Sequence, residues 1–148
     1  MLRAHVIQRC LSFFSSPRYL EVGVDRGKTF FAVDAAFKVG VDPKFKFDTS
    51  ESEYRNCRFF AMTSDEWFAQ NSLGQKFDVI FLDGLHTVEQ TLKDLLGSID
   101  LLSQKGIIIV DDVLPIDPES ALRSQSECYR IRDKAGNSSR AWMGDVFR

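Results

Sequence analysis

The sequence predicts a doubly wound α/β domain with a mostly parallel sheet of about five strands. Three observations carry this expectation. Short apolar runs recur along the chain: YLEVGV at 19–24, VGVD at 39–42, CRFFAM at 57–62, FDVIFLD at 77–83 and GIIIVDD at 106–112. Segments with apolar residues at helical spacing alternate with them, and runs so continuously apolar belong to strands covered on both faces. Four of the runs close on Gly23, Asp42, Asp83 or Asp111, residue types that turn a chain out of a strand.

The elements follow in order. Leu2, Val6, Cys10 and Phe14 repeat every four residues, which lines them along one helical face, and Ser15, Ser16 and Pro17 end the pattern. After the first strand, Phe30, Phe31, Val33 and Phe37 give residues 28–38 the spacing of a helix beginning at Lys28 and Thr29, with its N-terminal amides facing a ligand. The third run leads into a helix opening near Ser64 and Asp65, with Glu66 and Trp67 in its first turn. Between the fourth and fifth runs, Val88, Leu92, Leu95, Leu96, Ile99 and Leu102 recur at helical intervals. Beyond Pro115 the chain turns polar, and no element is predicted before the ending WMGDVFR.

Composition limits the function. A chain of 148 residues, 44% hydrophobic and 27% charged, suits one domain spanning 1–148 around one core. With 19 basic against 21 acidic residues the net charge is −2, so no overall field favours nucleic acid or an anionic membrane, and neither is an expected partner. The basic residues Lys38, Lys44 and Lys46, interleaved with Phe45 and Phe47 and bracketed by Asp42 and Asp48, read as a solvated loop. Cys10, Cys57 and Cys128 are odd in number and form no C-x-x-C pair, which argues against a disulfide framework or a zinc site and suits a reducing cytoplasm. Gln8 and Arg9 interrupt the N-terminal apolar run that a secretory signal needs, and no apolar run approaches the ~18 residues of a membrane span.

The stretch EVGVDRGKTF at 21–30 decides what the sheet holds. Only Val24, Asp25 and Arg26 separate Gly23 from Gly27, one residue short of the triphosphate-cradling loop, and the G-x-G-x-x-G spacing of a dinucleotide fold is also unmet. Glu21 before the glycines repels a pyrophosphate and suits a cationic ligand. Asp42 closes the next strand 21 residues on, near the ~20-residue offset at which a carboxylate takes ribose hydroxyls.

Read together, E-V-G-V-D-R-G and VGVDP resemble the first two motifs of the class I S-adenosylmethionine-dependent methyltransferases. Asp25 stands where that pattern has its middle glycine, and aspartate tolerates positive φ better than most residues. The resemblance implies S-adenosylmethionine as cofactor, with Glu21, Gly23, Val24 and Gly27 at its turn, Asp42 on the ribose, Thr63 and Ser64 by the adenine, and Asp83 beside the methionine portion. FDVIFLDGLHTVEQTLKDLLGSIDLLSQKGIIIVDDVLP looks like the subfamily whose fourth motif runs D-G-x-H and whose fifth strand ends in an acidic pair, and WMGDVFR resembles its ending. That subfamily implies methyl transfer to oxygen of a small-molecule acceptor. It also implies seven strands ordered 3-2-1-4-5-7-6, of which the chain carries five, so the last two are expected to be lacking.

Methyl transfer needs the acceptor oxygen held in line and relieved of its proton. Asp83, Asp111 and Asp112 offer the hard oxygen ligands that Mg²⁺ prefers, an arrangement similar to catechol-type O-methyltransferases. His86 offers a general base near neutrality, with Asp83 beside it, and the two roles are compatible. Structural roles remain open for the same residues: strand-end capping for Asp111 and Asp112, a fixed hydrogen bond for His86. The GIIIV strand lacks its outer neighbour, so either residues 116–148 or a second copy of the chain is expected to shield that edge. A non-catalytic module that binds a partner through the edge is the rival reading.

Overall fold

The computed structural model describes residues 3–50, 54–70 and 74–146. Its centre is a five-stranded, fully parallel sheet ordered β3-β2-β1-β4-β5. The strands are β1 (Arg18–Val22), β2 (Phe37–Val41), β3 (Cys57–Phe60), β4 (Phe77–Leu82) and β5 (Leu102–Val110). The fold class is therefore the α/β architecture that the apolar runs predict. Strand order reverses between β1 and β4, and a crevice opens there beyond the carboxyl ends of the strands.

Period-two alternation sends each strand's side chains to two separate cores. Leu20, Val22, Ile80 and Leu82 pack with Trp67 of α2 (Ser64–Gln70) on one face. Tyr19, Val79 and Phe81 pack on the other with Ile7 and Leu11 of α1 (Arg3–Leu11) and with Phe30. The α1 stripe is thus led by Ile7 and Leu11, both fully buried, one position on from the predicted one; Val6 is 39% exposed and Leu2 lies outside the described residues. The α2 terminus is a capping box, in which Thr63 Oγ1 accepts from Glu66 N–H and Glu66 Oε2 accepts from Thr63 N–H.

The helix predicted at 28–38 does not form. A 3₁₀ turn at Phe30–Ala32 is its only helical remnant, and Phe37 opens β2. Parallel strands ordinarily need a crossover of a dozen or more residues. The glycine turn and the Asp34–Ala36 link consume most of that length, leaving only 28–33 to coil. Lys38, expected in a solvated loop, compensates: it is buried, and its ammonium donates to the carbonyls of Phe30 and Val33 at 2.9 and 3.1 Å. Phe31, Phe45, Phe47, Tyr54 and Phe59 cover the rest of this face as interlocked rings with centroids 4.9–6.3 Å apart.

Two further differences concern the second half. Helix α3 (Val88–Ile99) turns Asp94 and Ser98 inward, so that of the predicted apolar stripe Val88, Leu92, Leu96 and Ile99 are exposed, while Leu102 belongs to β5. The polar segment contains α4 (Gln125–Lys134), fastened by the bidentate pairing of buried Arg132 with Asp117. This segment lies over the strand ends. Met143 N–H donates to Ser120, and Asp145 N–H to the His86 carbonyl. Among the described residues, none from 116–146 hydrogen bonds to the β5 backbone, so the tail does not extend the sheet.

Candidate active site at the strand ends

The crevice at the β1/β4 reversal widens into a cleft of about 1510 Å³. Glu21, Gly23, Val24, Asp42, Thr63, Ser64, Asp83, His86, Asp111 and Asp112 all line it, so one site gathers residues spread over most of the chain. Gly27 stands just behind the wall, where its N–H closes the turn on the Val24 carbonyl at 2.8 Å.

The turn itself is built on left-handed backbone. Gly23, Asp25 and Gly27 have φ of 88°, 49° and 71°, so Asp25 takes the conformation its motif position demands. Asp42 holds this shape, accepting the Asp25 N–H on one oxygen at 2.8 Å and the Lys44 N–H on the other at 2.7 Å. Both oxygens retain lone pairs for a ligand hydroxyl. Thr63 is engaged by its cap, and Ser64 Oγ accepts from Gln90 at 3.1 Å.

Residues 20–113 match a protein family described as a methyltransferase domain. This chain belongs to that family. The structure of the O-methyltransferase TomG from Streptomyces achromogenes, involved in tomaymycin synthesis and solved in complex with SAM, superposes on the chain with a TM-score of 0.60. The two are 14% identical, and the match covers 92% of this chain and 69% of TomG, a likeness of fold. A search of curated proteins gives no significant sequence match.

In this methyltransferase domain the electrostatics concentrate below the turn. Burial lifts the Glu21 carboxyl to about 8, with nearby Asp83 adding to the effect and the 2.6 Å hydrogen bond from Tyr19 opposing it. Burial also raises Asp83 to about 7 despite the opposing Arg3 guanidinium. The His86 imidazole, 14% exposed, is pushed below its ordinary value by burial, against the pull of Asp112 and Asp111. Its Nε2 faces Asp112 at 3.6 Å and Asp83 at 3.7 Å, beyond hydrogen-bonding reach of either. Asp112 sits at φ 51°, a strained turn for a non-glycine residue that aims its carboxylate back across the strand end.

Three residues around the site received no role in the sequence reading, although Trp142 and Gly144 fall in the WMGDVFR ending it singled out. Arg3 reaches from α1 to Asp83 and Asp111. Trp142 stands edge-on to His86 with ring centroids 5.5 Å apart, and its indole N–H is fixed on the Leu122 carbonyl at 2.7 Å. Gly144 approaches so closely that a Cβ there lies 1.5 Å from the His86 carbonyl. The chain ending therefore buttresses the histidine. A usable signal existed for α4, since Ser124 and Glu127 have the spacing of a capping box and the Ser124 hydroxyl accepts the Glu127 N–H. Nothing local marks Arg3 as a partner of Asp83 and Asp111, which stand far along the chain.

Proposed function

We propose that this chain is an S-adenosylmethionine-dependent methyltransferase that acts on a hydroxyl oxygen of a small molecule, as one cytoplasmic domain of the subfamily with the D-G-x-H motif. The observation that carries the reading is the left-handed glycine turn, held by Asp42 and seated against the end of β4, around one acid-lined cleft. Asp42 takes the ribose hydroxyls, Thr63 and Ser64 flank the adenine, and Glu21, Gly23, Val24, Gly27 and Asp83 surround the methionine portion.

S-adenosylmethionine supplies an electrophilic methyl, so the chain's task is to place an oxygen in line with it and remove the proton. His86 is the general base in this reading. Burial favours its neutral imidazole, Nε2 is untied, and the neighbouring Asp112 and Asp111 carboxylates stabilise the imidazolium once the proton arrives. Trp142 forms the wall against which the acceptor is held. A divalent metal is the second reading. Asp83, His86 and Asp112 each bring one ligand atom to within 4.8 Å of the others, and two carboxylates with an imidazole suit Mg²⁺ or Mn²⁺. Such an ion would lower the acceptor's pKa, and Asp111, whose Oδ2 is ion-paired with Arg3, lies outside this cluster of three.

Calorimetry tests the cofactor. Heat is expected with S-adenosylmethionine and S-adenosylhomocysteine and none with NAD, and Asp42→Ala is expected to weaken binding roughly ten- to a hundredfold. Affinity for the sulfonium is also expected to rise from pH 6 to 8.5 with release of protons, because Glu21 is largely protonated in the empty cleft and a cation favours its ionised form. No heat with any of the three overturns the reading. That outcome favours an interaction module, or a homodimer, using the exposed Leu92, Leu96 and Ile99 beside the β5 edge. A separate assay assigns the base: His86→Ala should cost at least about a hundredfold in turnover while chelator leaves the parent unchanged. The reverse pattern assigns the work to a metal.

A further inference from the structure

The cation that the strand-end carboxylates hold is supplied by the chain itself. Arg3 Nη1 lies 2.5 Å from Asp83 Oδ2 and 2.5 Å from Asp111 Oδ2, a single guanidinium bridging the ends of two adjacent strands. It hydrogen bonds to Asp83 and forms an equally short ion pair with Asp111. Asp112 adds to the negative field around it.

The placement of Arg3 is set by packing. Arg3, Ile7 and Leu11 recur every four residues and so share one face of α1. Ile7 and Leu11 are fully buried on that face, which aims Arg3 over the end of the sheet. Gln8 pins the helix laterally, its side chain accepting the Asp34 N–H at 2.7 Å and donating to the Asp34 carbonyl at 3.4 Å.

Asp83 consequently faces two ways. Its Oδ2 holds Arg3, while its Oδ1 looks toward His86 and the Asp112 side of the rim, where the three candidate metal ligands converge. A divalent ion there and a guanidinium on the same carboxylate are like charges a few ångströms apart, and each takes electron density the other needs. We propose that Arg3 is a tethered cation that competes with a divalent metal ion for the strand-end carboxylates: it compensates the rim's charge without metal, and metal binds only as α1 gives way. The proposal rests on the metal-ligand reading of the rim and is independent of methyl transfer.

The test is a Mn²⁺ titration, followed by loss of the free-ion paramagnetic signal, on the parent, Arg3→Ala and Arg3→Lys. Arg3→Ala is expected to bind Mn²⁺ roughly tenfold or more tightly than the parent, about the weight of a partly buried ion pair, with Arg3→Lys between them. Equal affinity in parent and Arg3→Ala overturns the proposal, as does no Mn²⁺ binding by any of the three. Should Arg3→Ala fail to fold, hydrogen exchange on the parent decides: saturating Mn²⁺ should speed exchange of the α1 amides, and unchanged protection with Mn²⁺ bound overturns the idea. Calorimetry with S-adenosylmethionine on the same samples separates the two readings. A Mn²⁺ shift without cofactor binding sinks the methyltransferase reading alone; cofactor binding with identical Mn²⁺ affinities sinks the Arg3 competition alone.

Discussion

Replacing Glu21 by glutamine is expected to stabilise the protein at alkaline pH and to leave it nearly unchanged in acid. Glu21 is 1% exposed, with Tyr19 as its hydrogen-bond donor, and its folded carboxyl titrates near 8 against an ordinary value of 4.5. Between those values the folded protein holds a proton that the unfolded chain has released. Stability from this group is therefore complete below 4.5 and is lost as pH rises through 8. The loss reaches a few kcal/mol at full ionisation. Glutamine keeps an acceptor for Tyr19 and carries no charge at any pH. The melting temperature of Glu21→Gln should exceed that of the parent by on the order of 5–10 °C at pH 8.5 and by far less at pH 5. An equal gain at both values would mean that burial of the charge is not the cause. The same exchange should blunt the rise of sulfonium affinity with pH, since the group whose ionisation favours the ligand is then gone.

Gly23→Ala should cost about 3 kcal/mol or more and close the cofactor cleft. A Cβ at this position falls 2.1 Å from the Asp83 carbonyl oxygen and 2.8 Å from Gly84 Cα, and both obstacles are backbone. Neither retreats easily, because Asp83 N–H is already tied to the Val22 carbonyl at 2.8 Å. The φ of +88° adds strain of its own. Gly74→Ala is the matched control, with φ of +56° and open space around its Cβ, so it isolates the backbone contribution. Denaturant titration of the two variants should show a much lower midpoint for Gly23→Ala. If the two lose equal stability, the close seating of the turn on β4 is not what demands glycine.

Much of this architecture was legible because it is locally encoded. An apolar run flanked by turn residues specifies a strand buried on both faces whatever lies around it, and all five strands form where those runs stand. The resemblance of E-V-G-V-D-R-G to the methyltransferase first motif implied a glycine-type turn, and Asp25, standing at its middle glycine, does take positive φ. Spacing failed where it depended on what an apolar face would meet. Phe30, Phe31, Val33 and Phe37 had helical periodicity, yet the crossover was too short to coil, and the rings packed as an aromatic layer around buried Lys38. Of the stripe on α3 only Leu95 packs inward, because Asp94 and Ser98 satisfy their polar groups inside, where Gln90 donates to Asp94 and the Ser98 hydroxyl to the Asp94 carbonyl.

The sequence by itself determined the parallel α/β class, the carboxylates and histidine at the strand ends, and the glycine-bearing turn after the first strand. These follow from residue type and spacing over a few positions. Only the tertiary structure decided that Arg3 closes the acidic rim, that Trp142 and Gly144 buttress His86, and that the tail folds over the cleft. Those contacts join parts of the chain separated by tens of residues, and their energy arises when packing brings them together. No local pattern in the sequence carries that information.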